Sequence, residues 1–168
     1  MNRFYLKNKM ALILLPFLII FFMPCSKSQA GVKAPHFALP SVMDGSTIDV
    51  NQFKGKVILI NFFATWCGPC RIEIPELIKL QNKFGPKGFT AIGISVDQNG
   101  SESVKRFAKE FDINYPVVLA NAKVTEDFGG VSVIPTTFLV NRKGNVVKYY
   151  PGLIDHRVFE IDLKQTLK

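Results

Sequence analysis

The stretch Val57-Ile58-Leu59-Ile60-Asn61-Phe62-Phe63-Ala64-Thr65-Trp66-Cys67-Gly68-Pro69-Cys70 is the strongest indicator of the fold in this 168-residue chain. Residues 57–64 are a short, continuous apolar run rich in β-branched and aromatic side chains, which predicts a buried β-strand. The segment after Pro69 predicts a helix, so both cysteines fall at a strand-to-helix junction. A cysteine at such a junction faces unpaired N–H groups and the positive end of the helix dipole, and both favour a thiolate.

The spacing of Cys67 and Cys70 is that of a dithiol that cycles to a disulfide. Because the thiolate is the nucleophile of thiol–disulfide exchange, one thiol should be activated and the other should resolve the mixed disulfide. Cys67 comes first and is expected at the exposed helix N-terminus as the attacking thiol, with Cys70 buried one turn later. Gly68 and Pro69 between them should tune the redox poise, and Pro69 falls in the first turn, where its missing N–H costs nothing.

Glu73 is a candidate acid or base for this pair. It follows Cys70 by three residues and so lies on the same helix face. A carboxylate there could raise the pKa of a thiol or exchange a proton with it. The alternative is an ordinary surface glutamate that pairs with Arg71 or Lys79.

Two other residues of the stretch have open interpretations. Asn61 lies on the predicted buried strand and should be hydrogen-bonded, and a structural bond to a neighbouring loop is the favoured interpretation. Trp66 is the only tryptophan, and it either covers the cysteines or packs in the core. Its position next to Cys67 favours the first interpretation.

The first 30 residues have the pattern of a secretory signal. A basic start is followed by an apolar run from Met10 to Met23 and by small residues at the −3 and −1 positions of a cleavage site after Ala30. The run is shorter than the roughly 20 residues of a spanning helix, but an uncleaved membrane anchor stays open. Lipidation at Cys25 also stays open, although the proline before it fits poorly. Residues 31–168 then form one domain with a sizeable core.

Charge and cysteine content exclude several classes of function. Residues 1–30 hold four of the 21 basic residues and none of the 13 acidic ones, which leaves 17 against 13, a net charge of +4. These charges are interspersed, which indicates a solvated surface and no nucleic-acid partner.

A zinc site needs about four ligands, and His36 and His156 are not spaced to join the two cysteines. Arg71 stands where haem attachment requires histidine, so no metal or cofactor is expected.

Turn signals and hydrophobic periodicity predict an α/β domain without internal linkers. We expect a mixed sheet covered by helices on both faces. The predicted order is an N-terminal hairpin (36–39 and 47–50), a strand (57–64), a helix kinked at Pro75, a strand (89–96), a helix capped by Ser101 or Ser103, a strand (116–119), a short helix (123–128), a hairpin (136–140 and 145–150) and a C-terminal helix.

Together these residues resemble the thioredoxin superfamily, and in particular its exported TlpA/ResA-like thiol–disulfide oxidoreductases. The likeness spans about residues 32–168, and the hairpin and the α-β segment at about 100–120 are similar to additions that distinguish this group from plain thioredoxin. The resemblance implies a thioredoxin-like fold with a central α-β insertion. The motifs that carry it are Phe53-Lys54-Gly55-Lys56, the run from Asn61 to Arg71, Glu73-Ile74-Pro75 and Ile134-Pro135-Thr136-Thr137-Phe138.

The resemblance also implies a substrate site. Pro135 is expected to be a cis-proline beside the disulfide, where the backbone of Ile134 pairs with an extended substrate segment. The other expected substrate-binding residues are Trp66, Gly68 and Pro69.

The same resemblance bears on acid/base chemistry. Glu73 matches the acidic residue that these proteins hold near the active site. Asn61 stands where cytoplasmic thioredoxins carry a buried aspartate, which suggests that Glu73 has taken over the acid/base task.

The expected function is thiol–disulfide exchange outside the cytoplasm by a monomer, in the periplasm or on the outer face of the membrane. The Cys-Gly-Pro-Cys motif is the thioredoxin one and suggests a reductase. In an oxidising compartment a reductase needs outside electrons, which implies a membrane electron donor. Reduction of apocytochrome c in cytochrome c maturation is the leading process.

The alternatives are a disulfide oxidase, a thiol peroxidase and a non-enzymatic binding module with a structural cysteine pair. The peroxidase is disfavoured because the related peroxiredoxins carry threonine three residues before the reactive cysteine, where this chain has Ala64.

Overall fold

The computed structural model describes residues 31–168. The predicted signal or anchor over residues 1–30 and any lipidation of Cys25 therefore lie outside the described residues. No helix within the described range is long and apolar enough to cross a membrane.

Seven strands and four α-helices make up the described chain, with one-turn 3-10 helices at Val50–Phe53 and Gly85–Lys87. In chain order they are β1 (Ala38–Pro40), β2 (Thr47–Asp49), β3 (Val57–Phe63), α1 (Gly68–Phe84), β4 (Phe89–Ser95), α2 (Ser101–Glu110), β5 (Val117–Leu119), α3 (Ala122–Asp127), β6 (Thr136–Val140), β7 (Val146–Pro151) and α4 (His156–Leu167). Every predicted helix and strand is present, with bounds that differ by a few residues.

A five-stranded mixed sheet in the order β5-β4-β3-β6-β7 forms the centre of the fold. Strand β3 pairs in parallel with β4 and antiparallel with β6, while β1 and β2 form a separate hairpin. The predicted fold class, a thioredoxin-like α/β domain with a central mixed sheet flanked by helices, is confirmed.

Both faces of β3 are buried, because helices or the hairpin cover each side of the sheet. Alternate residues of a strand point to opposite faces. Leu59 and Phe63 belong to a core that includes α1, α2 and α4. Ile60 and Phe62 belong to a second core with α3 and the N-terminal hairpin. This double burial explains why the β3 sequence is continuously apolar rather than alternating.

Two local predictions about helices have different outcomes. Helix α1 runs through Pro75 as one element, and the kink stays a prediction. The capping prediction for α2 is wrong, because Gly100 is the N-cap and no side chain caps the helix. Gly100 has φ +85°, a backbone conformation that glycine adopts without steric cost. The Ser103 hydroxyl instead donates to the Gly100 carbonyl.

The sheet topology gives the domain two distinct poles. Strand β3 ends where α1 begins, and the antiparallel β6 begins beside that end, since Phe62 pairs with Thr136. At the other pole, the Val146 N–H donates to the Val32 carbonyl at 2.8 Å, and the Ala34 N–H donates to the Gly144 carbonyl at 3.0 Å. The start of the described chain is thereby attached at the pole opposite the end of β3.

Candidate active site

A disulfide joins Cys67 and Cys70 at the N-terminus of α1, at the predicted strand-to-helix junction. Cys67 is the N-cap, and its Sγ accepts a hydrogen bond from the Cys70 backbone N–H at 3.2 Å. Cys70 is buried, as predicted. The expectation that Cys67 is exposed is wrong, since only 5% of its surface is accessible. The neighbouring loop covers it, with the Ile134 carbonyl oxygen 3.8 Å from Cys67 Sγ.

The helix terminus favours negative charge on the Cys67 sulfur. The Cys70 N–H already points at that sulfur, and the first turn of α1 contains no acidic residue that would oppose a thiolate. A thiol in such a position has a lowered pKa and is more readily ionised. The site can therefore provide an activated sulfur once the disulfide is reduced.

Glu73 lies inside the protein and not on its surface. It is 3% exposed, and its Oε2 accepts a hydrogen bond from Asn61 Nδ2 at 2.6 Å. The surface ion-pair alternative for Glu73 is therefore wrong. Arg71 pairs with Glu110, and Lys79 pairs with Glu76.

Asn61 connects the sheet to the helix. Its Nδ2 also donates to Thr137 Oγ1 at 2.9 Å, since Asn61 and Thr137 are register partners on β3 and β6. The favoured interpretation of Asn61, a bond to a neighbouring loop, is wrong because both partners lie on regular elements. The amide orients the Glu73 carboxyl from the sheet side.

Burial controls the protonation of Glu73. Loss of solvent raises its pKa from the ordinary 4.5 to about 7, and the hydrogen bond from Asn61 opposes this rise. Within the described residues, Oε1 of Glu73 has no hydrogen-bond partner. Burial also raises the pKa of Tyr115, and the charge of Glu73 raises it further. A carboxyl that titrates near pH 7 can both accept and donate a proton at that pH.

A cleft of about 330 Å³ opens between α1 and the start of α4. Its lining includes Glu73 and Glu76 from α1 and Leu153 and His156 from the opposite side. Glu73 thus adjoins the cleft, while its carboxyl oxygen Oε1 stays buried.

Three of the predicted substrate-binding residues form the exposed surface around the disulfide. Trp66 is 69% exposed, so the alternative that it packs in the core is wrong. Gly68 and Pro69 are exposed at the first two positions of α1. A Cβ added to Gly68 would meet no other atom within 4 Å, so the surface there is open.

The loop before β6 lies against the cysteines. The Ile134–Pro135 peptide bond is cis, as the resemblance implies. Pro135 is buried, and its carbonyl accepts a hydrogen bond from the Gly152 N–H at 2.7 Å. Ile134 is half-buried and has its carbonyl beside Cys67. Exposed Val133 extends the apolar surface next to it.

The family model described as Redoxin matches residues 29–162, most of the chain. The chain belongs to the Redoxin family. The match covers both cysteines, the cis-proline loop and every strand, so the predicted thioredoxin-superfamily membership is confirmed for the whole described domain apart from its last few residues.

Several proteins similar to this Redoxin-family chain are named for thiol–disulfide exchange. It is 36% identical over 134 residues to a thiol–disulfide oxidoreductase ResA of Bacillus cereus, covering 79% of this chain and 75% of the relative. It is 36% identical over 122 residues to ResA of Bacillus subtilis (strain 168), covering 73% and 67%. A crystal structure of a thioredoxin-family thiol:disulfide interchange protein from Chlorobium tepidum TLS superposes with a TM-score of 0.76, at 36% identity, over 82% of this chain and 97% of that one. The chain is a thiol–disulfide oxidoreductase.

One cluster of hydrogen-bonded residues in this Redoxin-family site was not predicted from the sequence. Asp97, the second residue after β4, accepts hydrogen bonds from the backbone N–H and the hydroxyl of Thr65, which lies two residues before Cys67. A signal was available, because the ends of the parallel strands β3 and β4 meet at one edge of the sheet. The residues that follow the two strands are therefore neighbours, although 32 positions separate them in sequence.

Proposed function

We propose that this protein is an extracytoplasmic reductase of protein disulfides, in which Cys67 attacks and Cys70 resolves. One observation carries the assignment of the two thiols: the buried carboxyl of Glu73 lies one turn after the buried Cys70, and the Cys67 sulfur accepts a helix N-terminal N–H. The arrangement gives the two cysteines different environments, as an attacking and a resolving thiol require.

In the first step the Cys67 thiolate attacks one sulfur of a substrate disulfide. A bond forms between that sulfur and Cys67 Sγ, and the other substrate sulfur leaves as a thiolate. The Cys70 N–H supports this step because it stabilises the nucleophile in its ionised form.

In the second step Cys70 attacks Cys67 Sγ and releases the remaining substrate sulfur. A buried thiol is a poor nucleophile until it loses its proton, and Glu73, with its pKa near 7, is the proposed acceptor of that proton. The cleft that Glu73 lines is the proposed exit of that proton to water. The substrate gains two electrons from the protein and takes up two protons from water, and the protein is left with the Cys67–Cys70 disulfide.

The loop at Ile134 and Pro135 is the proposed docking site for the substrate chain. The Ile134 backbone lies 3.8 Å from the reacting sulfur at the nearest point. An extended segment that pairs with this backbone would bring its own cysteine to Cys67 by strand addition. Trp66, Gly68 and Pro69 would contact the flanks of such a segment, because all three are exposed.

The location and the partners are supported by the sequence pattern. The apolar run from Met10 to Met23 behind a basic start supports export. Outside the cytoplasm the oxidised protein needs a dithiol donor, for which we propose a membrane protein. For the substrate we propose apocytochrome c, whose Cys-x-x-Cys-His thiols must be reduced before haem attachment.

The direction of electron flow is tested by the reduction potential of Cys67–Cys70 after equilibration with defined thiol buffers. A value near −270 mV, at the thioredoxin end of the range, supports the reductase. A value near −120 mV, at the oxidant end, would overturn it in favour of a disulfide oxidase.

The assignment of the two thiols is tested by trapping. Cys70→Ser should accumulate a mixed disulfide between Cys67 and a disulfide-bonded Cys-x-x-Cys-His peptide, visible as a mass increase that dithiothreitol removes. Cys67→Ser is the matched control and should trap nothing. Equal trapping by both variants would reject the assignment, and a binding module with a merely structural disulfide would trap with neither.

A further inference from the structure

The turn between β3 and Cys67 is held by hydrogen bonds to a buried carboxylate, that of Asp97. Asp97 is 6% exposed and follows the last residue of β4 by two positions. Its Oδ2 accepts from the Thr65 backbone N–H at 2.9 Å, and its Oδ1 accepts from the Thr65 hydroxyl at 2.6 Å. A donor pair on one residue that meets both oxygens of one carboxylate fixes the orientation of that residue.

Asp97 is itself held by hydrogen bonds to the last residue of β4. The hydroxyl of Ser95, which is fully buried, donates to Asp97 Oδ2 at 2.7 Å and accepts from the Asp97 N–H at 3.1 Å. The carboxylate is thus attached to the rigid central sheet rather than to a loop that could follow Thr65. Any movement of Thr65 must break charge-assisted hydrogen bonds.

The carbonyl side of Thr65 is bound by α1. Arg71 Nη1 donates to the Thr65 carbonyl at 3.2 Å, and Arg71 Nη2 contacts Glu110 at 3.3 Å. The guanidinium lies over the Phe107 and Phe111 rings, 5.2 and 4.8 Å from their centroids. Thr65 is thus bound by Asp97, which follows β4, and by Arg71 of α1, and Arg71 in turn packs against α2.

Thr65 is two residues before Cys67, and the turn between them is tight, since the Cys67 N–H donates to the Ala64 carbonyl at 3.2 Å. A rotation at Thr65 would consequently displace the Cys67 sulfur. The contact most sensitive to such a displacement is the hydrogen bond from the Cys70 N–H to Cys67 Sγ.

We propose that Asp97 and Thr65 are positioning residues that hold Cys67 as the N-cap of α1 and so set the reactivity of its thiolate. The proposal rests on the proposed function, in which Cys67 is the attacking thiol. When the Thr65 hydroxyl is lost, the Cys67 sulfur is held less firmly on the Cys70 N–H, and the thiolate form is less stabilised. The reduced protein then becomes less stable relative to the disulfide, and the attack slows.

The test compares Thr65→Val with Thr65→Ser in the full chain. Valine matches threonine in shape and replaces only the hydroxyl, with a methyl group, while serine keeps the hydroxyl and lacks the methyl. Both variants leave the charged groups around the turn unchanged, namely Asp97, Arg71 and Glu110. For each protein we would measure the equilibrium constant with a defined dithiol buffer, the rate of attack of the reduced protein on a small aromatic disulfide, and the melting temperature.

We expect Thr65→Val to shift the dithiol/disulfide equilibrium about three- to tenfold towards the disulfide and to slow the attack by a similar factor. Thr65→Ser should stay close to wild type in both. A folded Thr65→Val protein that melts lower but keeps the wild-type equilibrium and rate would overturn the proposal, since Thr65 would then be merely structural. If Thr65→Val does not fold, Thr65→Ala takes its place, because alanine also lacks the hydroxyl and is smaller. The equilibrium constant and the rate of attack are then compared in the same way.

The wild-type protein separates this proposal from the proposed function. A wild type that attacks through Cys70, or that exchanges no disulfide, would reject the proposed function whatever the variants do. A wild type that attacks through Cys67, together with unchanged readouts in Thr65→Val, would reject only the positioning role.

Discussion

The side-chain amide of Asn61 donates a 2.6 Å hydrogen bond to Oε2 of Glu73, and within residues 31–168 this is the only hydrogen bond that the buried carboxyl makes. The contact joins the central strand to the helix that carries both cysteines. An amide lowers the pKa of the acid without adding a charge, so Glu73 keeps a pKa near 7 and remains available as a proton carrier.

Glu73→Gln should slow the resolving step. Glutamine keeps the size and a hydrogen-bond acceptor for Asn61 but cannot take the proton of Cys70. We expect the rate of release of the reduced substrate to fall about 100-fold at pH 7, the order of a lost general base, with transient accumulation of the mixed disulfide. Quenched-flow mass spectrometry would measure both. Glu76→Gln, on the same helix but half-exposed and paired with Lys79, is the matched control.

The stability of the oxidised protein should depend on pH through Glu73. Its pKa is raised from 4.5 to about 7 in the folded protein, so the folded state binds this proton more tightly than the unfolded chain. The contribution of Glu73 to stability is therefore fully present below pH 4.5 and is lost as the pH rises to about 7. Relative to Glu73→Gln, the wild type should lose about 3 kcal/mol of unfolding free energy across that window. Urea unfolding of both proteins from pH 4 to pH 8 would show this, and parallel curves would contradict it.

Removal of the amide should move the titration of Glu73. In Asn61→Leu the opposing hydrogen bond is lost, so the pKa of Glu73 should rise further and the pH midpoint of the resolving rate should move up. Above that midpoint, the unpartnered carboxylate should cost about 1–3 kcal/mol of stability. Thr137→Val is the control, because it removes the other partner of Asn61 and leaves the bond to Glu73 intact. An equal shift in the midpoint of both variants would argue against a specific effect of the amide.

Trp66→Ala should separate substrate binding from stability. Since the indole is 69% exposed, its removal should change the unfolding free energy by no more than about 0.5 kcal/mol. A tryptophan that contacts a docked protein segment is a typical hot spot, so the rate with a protein disulfide should fall about tenfold. The rate with a small disulfide should stay the same. Ile161→Ala, at a comparably exposed apolar residue on α4, should change neither rate.

The sequence predicted those parts of the site that adjoin one another along the chain. The apolar run of β3 and the Cys67–Cys70 spacing indicated a dithiol at a helix N-terminus, and the structure has the two cysteines there. The cis bond at Pro135 came only from the family resemblance, because the residues around it carry no comparable signal. The burial of Cys67 was not foreseen, since the loop that covers it is 67 residues away.

The contacts between distant elements could not be predicted in the same way. Helical spacing placed Glu73 on the face of Cys70 but could not tell whether that face meets solvent or the sheet. Only the packing of α1 on β3 decides this, and it puts Asn61 and Glu73 in contact. The hydrogen bonds from Thr65 to Asp97 likewise depend on the register of β3 with β4.

The attachment of Val32 and Ala34 beside the turn between β6 and β7 determines where the preceding segment joins the domain. That turn is at the pole opposite Cys67, and β3, with its seven residues, separates the two poles. At about 3.3 Å per residue this distance is roughly 23 Å. If residues 1–30 tether the chain to a bilayer, the tether joins the domain at the pole away from the disulfide, and a domain that stands upright on it presents the disulfide away from the lipid. A polypeptide released into the compartment would then reach it freely, whereas an electron donor in the same bilayer would need a domain that rises to that height or would depend on the domain tipping over on its tether.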